Sequence, residues 1–161
     1  MNNPQRTTII EALADQLTQR QALMATAESC TGGGIAQALT AVAGSSSWFD
    51  AGFVTYSNQA KSRMLDVPAE VIAGHGAVSE AVVKAMVAGA VVNSEASFAV
   101  SVSGVAGPGG GSPEKPVGTV WIAWGDADSI QAERFLFDGD REAVREQTID
   151  TALSRLLGFL S

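Results

Sequence analysis

The chain has 161 residues, 46% of them apolar and 17% charged, with a formal net charge of −7 at pH 7. That length and composition predict one domain, residues 1–161, built on one core, and they exclude a disordered chain. The acidic balance argues against nucleic acid as a partner, which needs basic surface, and no apolar run reaches the roughly 18 residues of a membrane span.

Helical and strand patterns alternate along the chain. Ile9, Ile10, Leu13 and Leu17 form a helical stripe ahead of a strand at Ala22–Ala27. Ile35, Ala38, Leu39 and Val42 make the next stripe, with Gly44 as its expected C-cap. Trp48–Tyr56 contains a second strand, and Asn58 is the expected N-cap of a short helix carrying Lys61 and Leu65. Pro68–Ala73 reads as a further helical turn or two, and Ser79 caps an apolar helix reaching Val92. Phe98–Ser103 is a third strand, followed by a long glycine and proline loop. Val117–Trp124 and Ile130–Phe137 read as a hairpin around Gly125–Asp128, and a last helix starts at Asp140. This order predicts an α/β fold, a three-layer α/β/α sandwich on a mixed, mostly parallel sheet. Ligands of such folds gather at the carboxyl ends of the strands.

Three segments leave those ends. The first, Thr26–Gly34, places an acid, a hydroxyl, a thiol and three glycines between a strand and a helix. Glycines admit close approach to backbone N–H groups, and a helix N-terminus favours negative charge. The second is Tyr56–Lys61, and the third is the glycine-rich Ser103–Gly118. With Asn58 as cap, Lys61 sits in the first turn of its helix, where the dipole disfavours a cation. Partial burial acts the same way, so the position favours the neutral amine that a general base requires. A serine needs such a base, and no Asp–His pair is evident, because the only histidine, His75, lies in a Gly-His-Gly turn. Ser29 with Lys61, and Tyr56 relaying a proton or orienting the amine, is the economical hypothesis.

Each residue also has a structural reading. Ser29 also has a reading as a helix cap, and Asn58 as a cap or a ligand contact. Cys30 is either a nucleophile or a packed small residue. Glu28 orients the site or accepts backbone donors at the turn. Tyr56 suits a packed aromatic, Ser103 a chain turn, and His75 a turn closure. Trp121 and Trp124 fit a core or an interface, and Arg141 and Arg145 an ion-pair face beside Asp138 and Asp140. One cysteine excludes an intrachain disulfide, fits a reducing compartment and, with one histidine, completes no metal set. The segment Met1–Arg6 lacks a signal-peptide pattern, so a cytoplasmic location is expected. The apolar strands, the tryptophans and the helix Ser79–Val92 favour a homodimer.

Ala27–Gly33, Gly44–Ser46, Phe53–Asn58 with Lys61, His75–Ser79, Ser103–Pro108 and Lys115–Val120 together resemble the CinA C-terminal domain family. The blocks occur in family order and span nearly the whole chain, so the resemblance is far more specific than any single glycine motif. The similarity is greatest to stand-alone members, which lack the additional N-terminal domain of longer ones. The resemblance implies metal-independent hydrolysis of the carboxamide of nicotinamide mononucleotide, giving nicotinic acid mononucleotide and ammonia. It implies no cofactor and a small-molecule substrate as partner. Carried onto matching positions, it makes Ser29 the nucleophile, Lys61 its base and Tyr56 the accompanying phenol. Substrate contacts are then expected from Glu28, Thr31, Gly32, Gly33, Asn58, Ser103, Gly104 and Gly107, with Lys115, Arg141 and Arg145 as candidates for the phosphate. The competing reading is a regulatory module whose glycine loops hold a nucleotide without turnover.

Overall fold

A computed structural model describes residues 3–161; Met1 and Asn2, at the head of the expected domain, lie outside the described residues. The elements follow in the order α1 Pro4–Gln19, β1 Met24–Glu28, α2 Gly34–Thr40, β2 Phe49–Val54, α3 Asn58–Leu65, α4 Ala69–His75 and α5 Glu80–Val92. After them come β3 Phe98–Gly104, β4 Thr119–Gly125, β5 Ile130–Leu136 and α6 Arg141–Leu160. No helix among the described residues is long and apolar enough to cross a membrane.

Local chemistry sets the helix starts. The side chains of Asn3, Ser57, Ser79 and Asp140 accept the N–H groups of Arg6, Ala60, Val82 and Ala143 at 3.1, 3.1, 3.3 and 2.9 Å. Each such cap is worth about 1 kcal/mol. The cap of α3 is therefore Ser57 and not the expected Asn58, which sits inside the first turn, because Ser57 holds extended backbone (φ −97°, ψ 163°) and supplies the acceptor. Gly44 likewise differs from expectation. Helix α2 ends at Thr40 with Ala41 as its C-cap, and Gly44 (φ +84°) leads into a 3₁₀ turn at Ser45–Ser47.

The sheet order is β2-β1-β3-β4-β5. Strand β1 pairs in parallel with β2 and β3, whereas β3–β4 and β4–β5 are antiparallel. Four strands thus run one way and β4 runs the other, and β4–β5 form the expected hairpin. The pleat sorts side chains to two faces. Met24, Val100 and Val102 join the core under α1, α2 and α6, whereas Ala25, Ala27 and Ala99 join the core under α3, α4 and α5. Helices on both faces make the three-layer sandwich.

Small residues on the second face let α5 pack closely. The Ser101 hydroxyl donates to the Val83 carbonyl of α5 at 2.7 Å. A Cβ on Gly89 would fall 1.8 Å from the Leu65 carbonyl oxygen, so α5 rests directly on the end of α3 and fixes the helix that carries Lys61. Trp48 and Trp124 are buried in the first core, and Trp121 packs partly buried against the second.

Candidate active site

Strands β1, β2 and β3 end at one edge, and their ladder continues past them. The Ser29 N–H donates to the Val102 carbonyl at 3.1 Å, and the Thr55 N–H donates to the Glu28 carbonyl at 2.9 Å. Ser29 is thereby set between the continuation of β2, Thr55–Tyr56, and the end of β3 at Ser103. Alternation along the strand sends neighbouring side chains to opposite faces, Glu28 toward α2 and Ser29 toward α3.

Glu28 is buried, and its carboxylate is committed to the turn. It accepts the Thr31 hydroxyl and the N–H groups of Ile35 at 2.8 Å and Ala36 at 3.0 Å. The negative charge that the start of α2 favours is thus supplied by the protein itself. The expected substrate contact at Glu28 becomes, in the structure, a clamp on the Ser29 turn. Gly32 (φ +59°) and Gly33 (φ +100°) make that turn in left-handed backbone that other residues adopt at a cost. The Gly32 N–H donates to the Ser29 carbonyl at 3.0 Å, while among the described residues the Thr31 and Gly33 N–H groups have no hydrogen-bond partner.

Lys61 reaches this turn from α3. Helical side chains slant toward the helix N-terminus, so a lysine in the first turn extends back over the strand tips. Its Nζ lies 3.2 Å from Ser29 Oγ and donates to the Thr55 carbonyl at 3.2 Å. Lys61 is 1% exposed and Ser29 8%, and among the described residues no carboxylate lies within ion-pair distance of the amine. Burial pushes the Lys61 pKa below its ordinary value. The helix dipole acts in the same direction. The one opposing influence is the neighbouring Cys30, whose thiol burial raises to about 11 and so keeps uncharged at neutral pH. Cys30 packs in the first core, which suits an inert residue better than a nucleophile.

The glycine loop joins the other two segments through α6. Arg141, the first residue of α6, donates to the Gly107 carbonyl at 2.9 Å and to the Tyr56 hydroxyl at 3.2 Å. Arg145, one turn on, donates to the Cys30 and Thr31 carbonyls, both at 3.1 Å. Among the described residues neither arginine is paired with a carboxylate, so the expected ion-pair face with Asp138 and Asp140 does not form. Asp140 instead caps α6.

The Lys115 amine donates to the His75 carbonyl at 3.2 Å, at the end of α4. Asn58 is exposed in the first turn of α3, whereas Ser103 is buried at the end of β3. Gly104 and Gly107 meet Val120 and Val117 so closely that a Cβ would clash at 2.6 and 2.4 Å, which makes the loop tight. Tyr56 is 61% exposed, and its hydroxyl bonds Arg141, with no hydrogen bond to Lys61 among the described residues. The Thr55 carbonyl that holds Lys61 has no sequence signal, since any residue supplies one.

Two clefts flank these groups. One of about 450 Å³ is lined by Ala106, Pro108, Val117 and Arg141, beside the glycine loop. The other, about 690 Å³, lies between α1, α2 and α6, with Thr31, Gly34 and Arg145 on its wall. Among the described residues no three His, Cys, Asp or Glu side chains cluster as metal ligands.

A serine beside an unpaired buried amine, on a glycine turn at the tips of parallel strands, defines a candidate hydrolase-type site. The CinA C-terminal domain model matches residues 6–160, and the chain belongs to that family. The nicotinamide-nucleotide amidohydrolase PncC of Pseudomonas putida is 60% identical over 151 residues, 94% of this chain and 94% of that protein. The protein of the same name from Escherichia coli strain K12 is 53% identical over 148 residues, 91% of this chain and 89% of that one. The crystal structure of the competence/damage inducible protein CihA from Agrobacterium tumefaciens matches with a TM-score of 0.96 at 41% identity, over 100% of this chain and 99% of that one.

Proposed function

We propose that this chain is a nicotinamide-nucleotide amidohydrolase, acting as one domain and without a metal. It hydrolyses the carboxamide of nicotinamide mononucleotide to nicotinic acid mononucleotide and ammonia. The observation that carries this reading is the 3.2 Å approach of Lys61 Nζ to Ser29 Oγ, with both groups buried and the amine lacking a counter-ion. Family membership and the names of the Pseudomonas and Escherichia relatives supply the substrate.

In the proposed reaction neutral Lys61 takes the Ser29 proton as Oγ attacks the carboxamide carbon. The Thr31 and Gly33 N–H groups receive the developing oxyanion, worth roughly 3–4 kcal/mol per donor. The proton on Lys61 then leaves with ammonia, and water hydrolyses the acyl-serine by the reverse transfers. Gly32, Gly33, Ser103, Gly104 and Gly107 form the walls around the substrate. Arg141 and Arg145, whose guanidiniums meet no carboxylate, and Lys115 are the phosphate candidates.

The lone cysteine supports a cytoplasmic setting. A homodimer is part of the same reading, for which light scattering is the check. Ammonia release by purified protein without added metal tests the activity, and the Ser29→Ala variant tests the nucleophile. Comparing nicotinamide mononucleotide with nicotinamide riboside and nicotinamide tests the phosphate requirement. Full turnover by Ser29→Ala, with loss in Cys30→Ala, overturns the nucleophile.

A further inference from the structure

Tyr56 is the sole tyrosine of the chain and an exposed aromatic side chain, at 61%. Left free, such a side chain samples several rotamers, and fixing it for a reaction costs entropy. The register of β1 and β2 nevertheless puts it at the reacting end. The Thr55 N–H bonds the Glu28 carbonyl, so the ladder brings Thr55 beside Ser29, and Tyr56 leaves the sheet one residue further on.

Arg141 supplies the missing restraint. One guanidinium nitrogen donates to the Tyr56 hydroxyl at 3.2 Å, the other to the Gly107 carbonyl at 2.9 Å. The bridge is anchored at Gly107 and at Arg141 itself. Gly107 is buried against Val117, and the flanking loop is closed by bonds from the Val105 N–H to the Thr119 carbonyl (2.8 Å) and from the Gly118 N–H to the Val105 carbonyl (2.7 Å). Arg141 itself opens a helix whose cap, Asp140, is satisfied. A guanidinium holds its donors in a rigid planar fork and has no acceptor. The phenol oxygen therefore accepts from Arg141, and its own proton is left for a third group.

We propose that Arg141 is a positioning residue, bridging the Gly107 carbonyl and the Tyr56 hydroxyl so that the phenol O–H is presented to the carboxamide of a substrate seated on Ser29. This rests on the amidohydrolase reading above. The phenol donates a hydrogen bond to the reacting amide and no proton is transferred through it, so the reaction's proton balance stays with Ser29, Lys61 and water.

The test is a kinetic cycle on the full chain with nicotinamide mononucleotide, using Arg141→Ala, Arg141→Lys, Tyr56→Phe and the Arg141→Ala/Tyr56→Phe double variant. Arg141→Ala and Tyr56→Phe each lower kcat about tenfold, the loss of one ordinary hydrogen bond, with KM nearly unchanged. The double variant is no slower than Tyr56→Phe alone, because the arginine acts through the phenol. Arg141→Lys stays slow, since a point charge lacks the fork. Multiplying effects in the double variant, or an Arg141→Ala defect confined to KM and rescued by lysine, overturns the proposal and makes Arg141 a phosphate contact. A readout independent of turnover comes from tyrosine labelled with carbon-13 at Cζ, which gives one resonance from the one tyrosine. Arg141→Ala shifts that resonance; an unmoved resonance overturns the bridge. An inactive wild-type chain with a shifted resonance overturns the activity while leaving the bridge in place.

Discussion

Two cations in two regions of the molecule, one partly buried and one fully buried, have opposite surroundings. At the seam of α1 and α6, Arg6 is held by Asp150 and Glu146, each at 2.6 Å. At the strand tips Lys61 is buried more deeply and meets a hydroxyl and a carbonyl with no carboxylate. Burial alone would pull both pKa values down. At Arg6 the hydrogen bonds and charges of Asp150 and Glu146 outweigh it and the pKa rises, whereas at Lys61 burial prevails and the pKa falls. Burial with counter-ions strengthens the hold on a proton and latches two helices; burial without one weakens that hold, which is what the proposed base requires.

The comparison is broken most sharply by replacing each cation with methionine. Lys61→Met lowers ammonia release by roughly 10³-fold or more, as expected for loss of a base acting on its nucleophile. Its stability in urea unfolding is equal to or above wild type, because an apolar side chain replaces an unpaired amine. Instability of Lys61→Met together with retained turnover would reverse the roles assigned here.

The second expectation is a pH dependence. Turnover falls about tenfold for each pH unit below the lowered Lys61 pKa and levels above it. Stability follows the same sign. The unfolded lysine, near 10.4, binds its proton more tightly than the folded one. The Lys61 contribution to stability is therefore fully present above that value and is lost as pH falls through the folded pKa. Lys61→Met flattens this part of the stability profile. Arg6, with its pKa raised, gives no such slope in the same range.

A third, smaller effect concerns the buried charge that is satisfied by donors alone. Glu28→Ala strands the Thr31 hydroxyl and the Ile35 and Ala36 N–H groups, costing about 1–3 kcal/mol in urea unfolding and slowing turnover through the displaced Ser29 turn. Smallest is Arg6→Met, which costs about 1 kcal/mol because its partners are partly exposed, with ammonia release within about twofold of wild type.

The strand tips were legible in sequence because hydrophobic periodicity bounds β1, β2 and β3, and alternation fixes which side chains share a face. That reasoning reached the Ser29–Lys61 approach, although the cap of α3 lay one residue earlier, at Ser57, since serine and asparagine serve alike there. Glu28 was harder. Whether a carboxylate at a strand end faces a ligand or the next helix depends on where that helix starts, and the positive-φ glycines at 32 and 33 decide it. Arg141 and Arg145 read as an ion-pair face or as phosphate contacts, yet both guanidiniums turn to backbone carbonyls of distant loops. Main-chain acceptors leave no mark on residue identity, so the role of the Thr55 carbonyl was invisible as well.

The most direct test is an NMR titration of the Lys61 side chain in the full protein, followed at Cε and Nζ and assigned by its loss in Lys61→Met. The account predicts deprotonation below the ordinary lysine value of about 10.4. Titration at or above that value would contradict it, leaving Ser29 beside a charged amine that cannot take its proton.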